Sequence, residues 1–166
     1  MDYVSEAVKE VSKLMVLSAI TAPKARGKDN LVIKVLESRE ELESLAKKME
    51  ELAPIYGDFF ARDAVNVRQS DAVVLIGCKL IDIGLKTPNA WKADVNLACS
   101  LVNLGIAVGS AVKTASLLNV DNRVMFTAGV AAQELCLIDA DVALGIPLSA
   151  TAKNVYFDRR WPPPKP

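Results

Sequence analysis

The chain has 166 residues, of which 51% are hydrophobic, and its 20 Lys and Arg residues balance its 20 Asp and Glu residues. This length and composition are typical of one folded domain, and they predict a single domain over residues 1–160 followed by a Pro-rich tail over 161–166. A formal net charge of zero argues against a nucleic-acid-binding protein, because such proteins normally carry an excess of basic residues. The absence of histidine excludes His-dependent catalytic triads, histidine general bases and imidazole zinc ligands.

Hydrophobic periodicity and turn signals predict an α+β fold with a small central sheet covered by helices. Ser38-x-x-Glu41 is a capping box that opens a helix, and Pro54 is expected to end that helix. Gly105 is expected to end a later helix, and Asp121 to cap the last one. The predicted elements are, in chain order, a helix over 4–20, a loop over 21–30, a strand over 31–36, helices over 38–52 and 59–68, a strand over 71–78, an irregular segment over 80–89, helices over 91–104, 110–118 and 121–137, and a strand over 140–146.

The three cysteines, Cys78, Cys99 and Cys136, are odd in number and widely spaced. They therefore predict no disulfide framework and fit a reducing compartment. Each lies among apolar neighbours, which favours a buried and inert thiol.

The charge-free run Val95–Val112 has the length of a membrane span. It contains four polar residues and is interrupted by Gly105 and Gly109, so a buried helix followed by a turn or strand is predicted instead. No basic segment followed by an apolar stretch opens the chain, so no targeting segment is expected. These features predict a cytoplasmic protein with no membrane partner.

The loop Ala22–Asn30 is the first candidate binding segment. Lys24, Arg26 and Lys28 alternate in it, so an extended loop would place all three cations on one side, where they suit an anion such as phosphate. A solvated basic loop without a ligand fits the same residues.

Two further segments could contribute to a site. Gly145–Asn154 follows a predicted strand and offers two hydroxyls, an amide and Lys153, although a simple strand-exit loop has the same composition. Leu104–Ala111 is rich in small residues that permit close packing against a cofactor or another helix, but its glycines do not have the spacing of a dinucleotide-binding fingerprint.

Five segments spread along most of the chain, 22–30, 60–77, 104–111, 120–123 and 145–159, resemble in their residues and order an uncharacterised prokaryotic family described as carrying a ferredoxin domain. The ferredoxin label implies a cysteine cluster after the second predicted strand, but Gly84–Trp91 contains no cysteine. An iron–sulfur cluster usually needs four cysteine ligands, and the chain has three. No iron–sulfur cluster and no other metal site is therefore expected within one chain.

A more distant resemblance rests on three features in a shared order: a helix followed by an Ala22-Pro23 loop that ends at Asn30, a long apolar helix with Leu104-Gly105, and a strand ending in Gly145-Ile146-Pro147. This order is similar to that of the nitroreductase-like flavoproteins, in which two chains interlock and FMN lies at the dimer interface.

The nitroreductase resemblance implies a set of cofactor-binding residues. It places Lys24, Arg26 and Asn30 near the phosphate or ring of FMN, with Lys153 completing the phosphate site. The chain departs from the family pattern at Lys24, which stands where serine is common, and no basic motif precedes the first helix. The resemblance identifies no catalytic side chain.

Two functions follow from these patterns. The first is an FMN-dependent oxidoreductase that transfers hydride between a nicotinamide donor and a small acceptor, with the flavin supplying the redox chemistry. The second is a non-catalytic or structural dimer that has lost its cofactor site. A homodimer is expected in both cases, because Val95–Val112 and Val124–Ile138 supply more apolar surface than a three-stranded sheet can cover.

Overall fold

Five helices and four strands follow one another along residues 3–157, the part of the chain that this computed structural model describes. The predicted Pro-rich tail lies outside the described residues. A short 3-10 turn at Ala25–Gly27 separates the first helix from the first strand. The elements are α1 (Tyr3–Thr21), β1 (Leu31–Leu36), α2 (Arg39–Tyr56), α3 (Phe59–Arg68), β2 (Ala72–Cys78), α4 (Val95–Leu117), β3 (Asp121–Asn122), α5 (Phe126–Glu134) and β4 (Val142–Ser149).

The strands form one antiparallel sheet in the order β1-β2-β4-β3. Strand β2 is buried along its whole length, and its successive side chains point to opposite faces of the sheet. Val73 and Leu75 pack with α2, α3 and α5, whereas Val74 and Ile76 pack with α1 and α4. The sheet therefore lies between two helical layers, which confirms the predicted α+β fold with a small sheet covered by helices.

Helix α2 begins at the predicted capping box but continues past its predicted end. The Glu41 backbone N–H donates to Ser38 Oγ at 3.1 Å, and the Ser38 N–H donates to the Glu41 carboxylate at 3.2 Å. The expectation that Pro54 ends this helix is wrong, since Pro54 lies in its last turn. Leu52 and Ala53 remain buried there, and their packing outweighs the one backbone hydrogen bond that a proline removes.

Helix α4 is one helix of 23 residues rather than two helices broken at Gly105. Leu104 and Ala107, on either side of that glycine, are buried against α1 and the sheet, and this packing overrides the weak helix propensity of glycine. Within residues 3–157, α4 is also the one helix long and apolar enough to cross a membrane. Its packing in the α1–sheet core is that of a core helix.

The segment after α4 differs most from its prediction. Asp121 does not cap a long helix; it pairs with Ser149 in the short strand β3, and α5 begins only at Phe126. Two backbone hydrogen bonds between Met125 and Gly145, of 2.8 and 3.0 Å, join the start of α5 to β4. Pairing with β4 therefore supplies hydrogen-bond partners for the backbone of this segment. The preference of Asp121 for a helix N-cap does not override this pairing.

Helix α5 approaches β4 so closely that two glycines are required at the contact. A Cβ atom on Gly129 would lie 2.0 Å from the Ala143 carbonyl oxygen, and one on Gly145 would lie 2.6 Å from Ala128 Cβ. Neither position can accept a side chain unless the helix moves away from the sheet.

We predict that Gly129→Ala lowers the free energy of unfolding by about 3 kcal/mol or more, because the added methyl overlaps rigid backbone. Urea denaturation measures the loss. Gly105→Ala is the matched control, since a Cβ there meets no atom within 4 Å, and it should stabilise the helix by up to about 1 kcal/mol. Equal effects of the two substitutions would contradict the close α5–β4 contact.

Candidate functional site

The loop of residues 22–30 is held against α4 by two buried asparagines. The Ala25 N–H donates to Asn103 Oδ1 at 2.8 Å, and Asn103 Nδ2 donates to Asn30 Oδ1 at 2.9 Å. Asn30 Nδ2 in turn donates to the Lys79 carbonyl at 2.8 Å. These bonds use both polar ends of Asn30, so its side chain joins the loop to α4 and to the segment that follows β2.

A surface cleft of about 290 Å³ lies between this loop and the first half of α4. We call it the loop–α4 cleft. Its lining is mainly apolar, and it includes one tryptophan and one thiol. The lining residues are Pro23, Lys24, Ala25, Trp91, Ala98, Cys99, Val102, Asn103 and Ile106. A concave, apolar surface with few polar groups is the usual form of a site for an organic ligand.

Lys24 points away from solvent and onto the end of α1. Its ammonium group donates to the carbonyl oxygens of Ala19, Ile20 and Ala22, and 7% of the side chain is exposed. An ammonium has three N–H donors, so these carbonyls use all of them. Because the last carbonyls of a helix have no partner within it, Lys24 acts as a side-chain cap for α1.

Arg26 and Lys28 instead reach across to the irregular segment between β2 and α4. The Arg26 Nη1 donates to the Gly84 carbonyl at 2.7 Å, and Lys28 Nζ donates to the Asp82 carbonyl at 2.8 Å. The expectation that an extended loop places Lys24 on the same side is wrong. The 3-10 turn, with Arg26 at φ +52°, separates Lys24 from the other two cations.

Lys153 lies at the opposite end of the sheet from this loop. The loop leads into Leu31, which pairs with Cys78 at the end of β2, whereas Leu148, near the end of β4, pairs with Ala72 at its start. The seven residues of β2 span about 20 Å. Lys153 follows β4 and is exposed, so it does not meet the loop–α4 cleft within one chain.

The other two candidate segments, 104–111 and 145–154, lie at different clefts. Ile106, in the segment 104–111, lines the loop–α4 cleft. Asn154, in the segment 145–154, instead lines a separate cleft of about 440 Å³ at the far end of the sheet. That second cleft is polar, with Ser116, Asn119, Asp121 and Asn122 among its lining residues.

The start of α4, which forms one wall of the loop–α4 cleft, is well capped. Asp94 accepts hydrogen bonds from the backbone N–H groups of Leu97 and Asn96 at 3.0 and 2.9 Å. The Leu97 bond, followed by one from the Thr87 hydroxyl, lowers the pKa of Asp94 below its usual range. The carboxylate therefore stays charged at neutral pH and fixes the first turn of this wall.

Sequence patterns did not identify several residues of the cleft. Trp91 belongs to no local motif; the sequence predicts it as the first residue of a helix, whereas it lies before α4 begins. Asn103 carried a usable signal, because a polar residue in the middle of an apolar helix needs a buried partner. That partner is Asn30.

The three cysteines lie on separate parts of the fold. Cys78 is buried, as predicted, and burial raises the pKa of its thiol. The expectation of burial is wrong for Cys136, which is exposed, and Cys99 is half-buried in the cleft wall. Cys136 follows α5 with a φ of +54°, a turn that directs it to the surface. Within residues 3–157, no group of three or more Cys, Asp or Glu side chains is arranged to hold a metal ion.

We predict that Lys24→Met lowers the free energy of unfolding by about 1.5 to 3 kcal/mol, since methionine keeps the buried stem but leaves the α1 carbonyls unpaired. Chemical denaturation provides the measurement. Lys113→Met, at an exposed position of α4, is the control and should change stability by about 0.5 kcal/mol or less. Two variants of equal stability would show that Lys24 is not a helix cap.

Two sequence comparisons define the family. Residues 93–159 match the family described as "Uncharacterized protein containing a ferredoxin domain" (DUF2148). An uncharacterized protein of Archaeoglobus fulgidus is 42% identical in an alignment of 175 positions that covers 95% of each chain. The chain belongs to this ferredoxin-domain-containing family, as the sequence motifs predicted.

Comparison with solved structures shows a nitroreductase-like fold. The hypothetical oxidoreductase YcnD of Bacillus subtilis matches 88% of this chain at a TM-score of 0.61 and 13% identity, and the chain spans 59% of its length. A nitroreductase with bound FMN from Desulfitobacterium hafniense DCB-2 matches 87% of this chain and 78% of its own, with a TM-score of 0.61 and 14% identity. A BluB-like flavoprotein from Clostridium difficile 630 matches 95% and 85%, with a TM-score of 0.59 and 16% identity.

Proposed function

We propose that this protein is a homodimeric, FMN-dependent oxidoreductase of the nitroreductase-like type. The observation that carries the proposal is the loop–α4 cleft, an apolar surface recess formed in part by the basic loop 22–30, in a chain with the fold of an FMN-containing nitroreductase. The family match contributes no reaction of its own.

The residues of the cleft and of the loop beside it fit the two chemical parts of FMN. Trp91, Val102 and Ile106 give the recess the apolar surface that a planar ring system needs. Phosphate needs cationic donors that are not already used, and Arg26 meets that need. It is exposed, and one of its five N–H donors is engaged, on the Gly84 carbonyl.

The four residues selected from the sequence then have two kinds of role. Lys24 and Asn30 position the loop, through the α1 carbonyls and Asn103 respectively. Arg26 binds the phosphate, and Lys153 contributes to the same ligand only from the second subunit. Bound FMN would supply the hydride chemistry, while these residues bind and orient it for a nicotinamide donor and a small acceptor.

The homodimer is supported by an apolar surface on the outer side of α1 and α4. Much of α5, in the other segment expected to supply an interface, is buried against β4 within the chain. The large hydrophobic residues exposed on α1 and α4 include Leu14, Leu17, Ile20, Leu97, Leu101, Val102 and Ile106. Many large apolar side chains exposed on two packed helices are typical of a protein interface, and Val102 and Ile106 also line the proposed cofactor cleft.

We predict that Leu101→Glu converts the dimer to a monomer, because it places a charge on the apolar surface of α4. Leu101 does not line the cleft, so the substitution leaves the cleft itself unchanged. Light scattering should give about twice the mass of 17.9 kDa for the wild type and that mass for the variant. Ile55→Glu is the matched control on the opposite helical layer, where Ile55 is 69% exposed, and it should remain dimeric. A wild type that is monomeric at every concentration would refute the dimer.

We predict that the protein binds FMN and acquires the yellow absorption of a flavoprotein. Titration of apoprotein with FMN should show saturable quenching of flavin fluorescence. Val102→Asp, which introduces a charge into the cleft wall, should weaken binding by about tenfold or more, equivalent to 1.4 kcal/mol. Ile55→Asp, outside the cleft, should bind normally. No saturable binding by the wild type would overturn the proposed function.

The second candidate function is a non-catalytic dimer. The observation in its favour is that the side-chain donors of Lys24 and Asn30 are engaged within the chain. A dimeric wild type that does not bind FMN would support it. In either function we propose a cytoplasmic location, consistent with unpaired cysteines in a reducing compartment.

A further inference from the structure

Arg26 and Lys28 converge on one surface position above Gly84. A Cβ atom on Gly84 would lie 2.9 Å from Arg26 Nη1 and 3.6 Å from Lys28 Nζ. The two cationic nitrogens are therefore closer together than the sum of these distances. Gly84 has a φ of +79° and no side chain, so the Arg26 guanidinium can lie where a Cβ atom would collide with it.

The charges of this cation pair are not neutralised by an ion pair. Within residues 3–157, no carboxylate oxygen lies within 4.0 Å of either cation. Asp82 is the nearest acidic residue along the segment, and one of its carboxylate oxygens accepts the Gly84 N–H at 2.7 Å. Asp29 follows Lys28 in the sequence, but its Oδ1 atom lies 3.9 Å from Lys24 Nζ instead.

The carbonyls that hold the two cations belong to a fixed segment. The Leu80 N–H donates to Asp141 at 2.7 Å, and the Ile83 N–H donates to Asn96 at 2.9 Å. The side chain of Ile83 is buried. The cation pair is therefore held in place without a ligand, and an anion that binds there does not have to order it first.

We infer that Arg26 and Lys28, held beside Gly84, form a binding subsite for a phosphate group. Each cation spends one donor on a carbonyl, which leaves N–H groups for the oxygens of a tetrahedral anion. The inference deepens the proposed function when that phosphate belongs to FMN. It names Lys28, rather than Lys24, as the second cation that the same chain supplies.

The experiment compares FMN, riboflavin and inorganic phosphate as probes. Riboflavin has the same ring without the phosphate, so the ratio of the two affinities isolates the subsite from the ring cleft. The wild type should prefer FMN by about tenfold or more, and Arg26→Gln and Lys28→Gln should each reduce that preference by about tenfold. Lys113→Gln makes the same charge change at an exposed lysine elsewhere and should keep the full preference.

Inorganic phosphate tests the subsite without any flavin. Phosphate at constant ionic strength should protect Lys28 of the wild-type protein from acylation, as measured by mass spectrometry, while Lys113 reacts at its usual rate. Gly84→Ala should reduce the protection, because its Cβ displaces the Arg26 head; circular dichroism of that variant checks that it folds.

The outcomes separate the two proposals. Protection of Lys28 by phosphate without FMN binding supports the subsite and refutes the flavin function. FMN binding with an unchanged preference in both Gln variants supports the flavin function and overturns the subsite. If phosphate does not protect Lys28 and FMN does not bind, both proposals are overturned.

Discussion

The hydrogen bond between the buried side chains of Asn30 and Asn103 is the contact on which the candidate site depends. It joins the last residue before β1 to the middle of α4, and Asn103 also holds the backbone of Ala25. Removing Asn103 would take this hydrogen bond from the buried Asn30 Oδ1, which costs more than the bond contributes. The position of the loop against α4, and therefore of the cleft between them, depends on this polar contact in an apolar layer.

Local sequence signals predict the bounds of those helices and strands whose tertiary packing favours the same structure. The strand Leu31–Leu36 and the helix Phe59–Arg68 have the bounds that the sequence indicated, since their apolar patterns match what each buries. Gly105 is a local signal for the end of a helix, and Asp121 is a local signal for the start of one. Packing against α1 and pairing with β4 override them, and neither interaction can be seen in a short window of sequence.

The candidate site was predictable in its residue types but not in its geometry. The sequence predicts that three cations of the loop at 22–30 share one side, and the structure brings two of them, Arg26 and Lys28, together. The spacing of these residues could not show that Lys24 would turn back to cap α1, because that depends on the 3-10 turn at Arg26. Gly84 and Trp91 come from a distant irregular segment, so their position beside the loop depends on the tertiary fold.

The antiparallel sheet links the proposed site to the proposed homodimer. Because β1 starts where β2 ends, the loop–α4 cleft and the segment after β4 lie at opposite ends of the same strand. A ligand that touches both the loop and Lys153 therefore requires two chains, arranged so that the loop end of one sheet meets the β4 end of the other. The exposed apolar side chains of α1 and α4 border the loop end, where such an arrangement would cover them. The exposed apolar side chains of α1 and α4 and the loop–α4 cleft are thus adjacent. Association of two chains through the first would enclose the second.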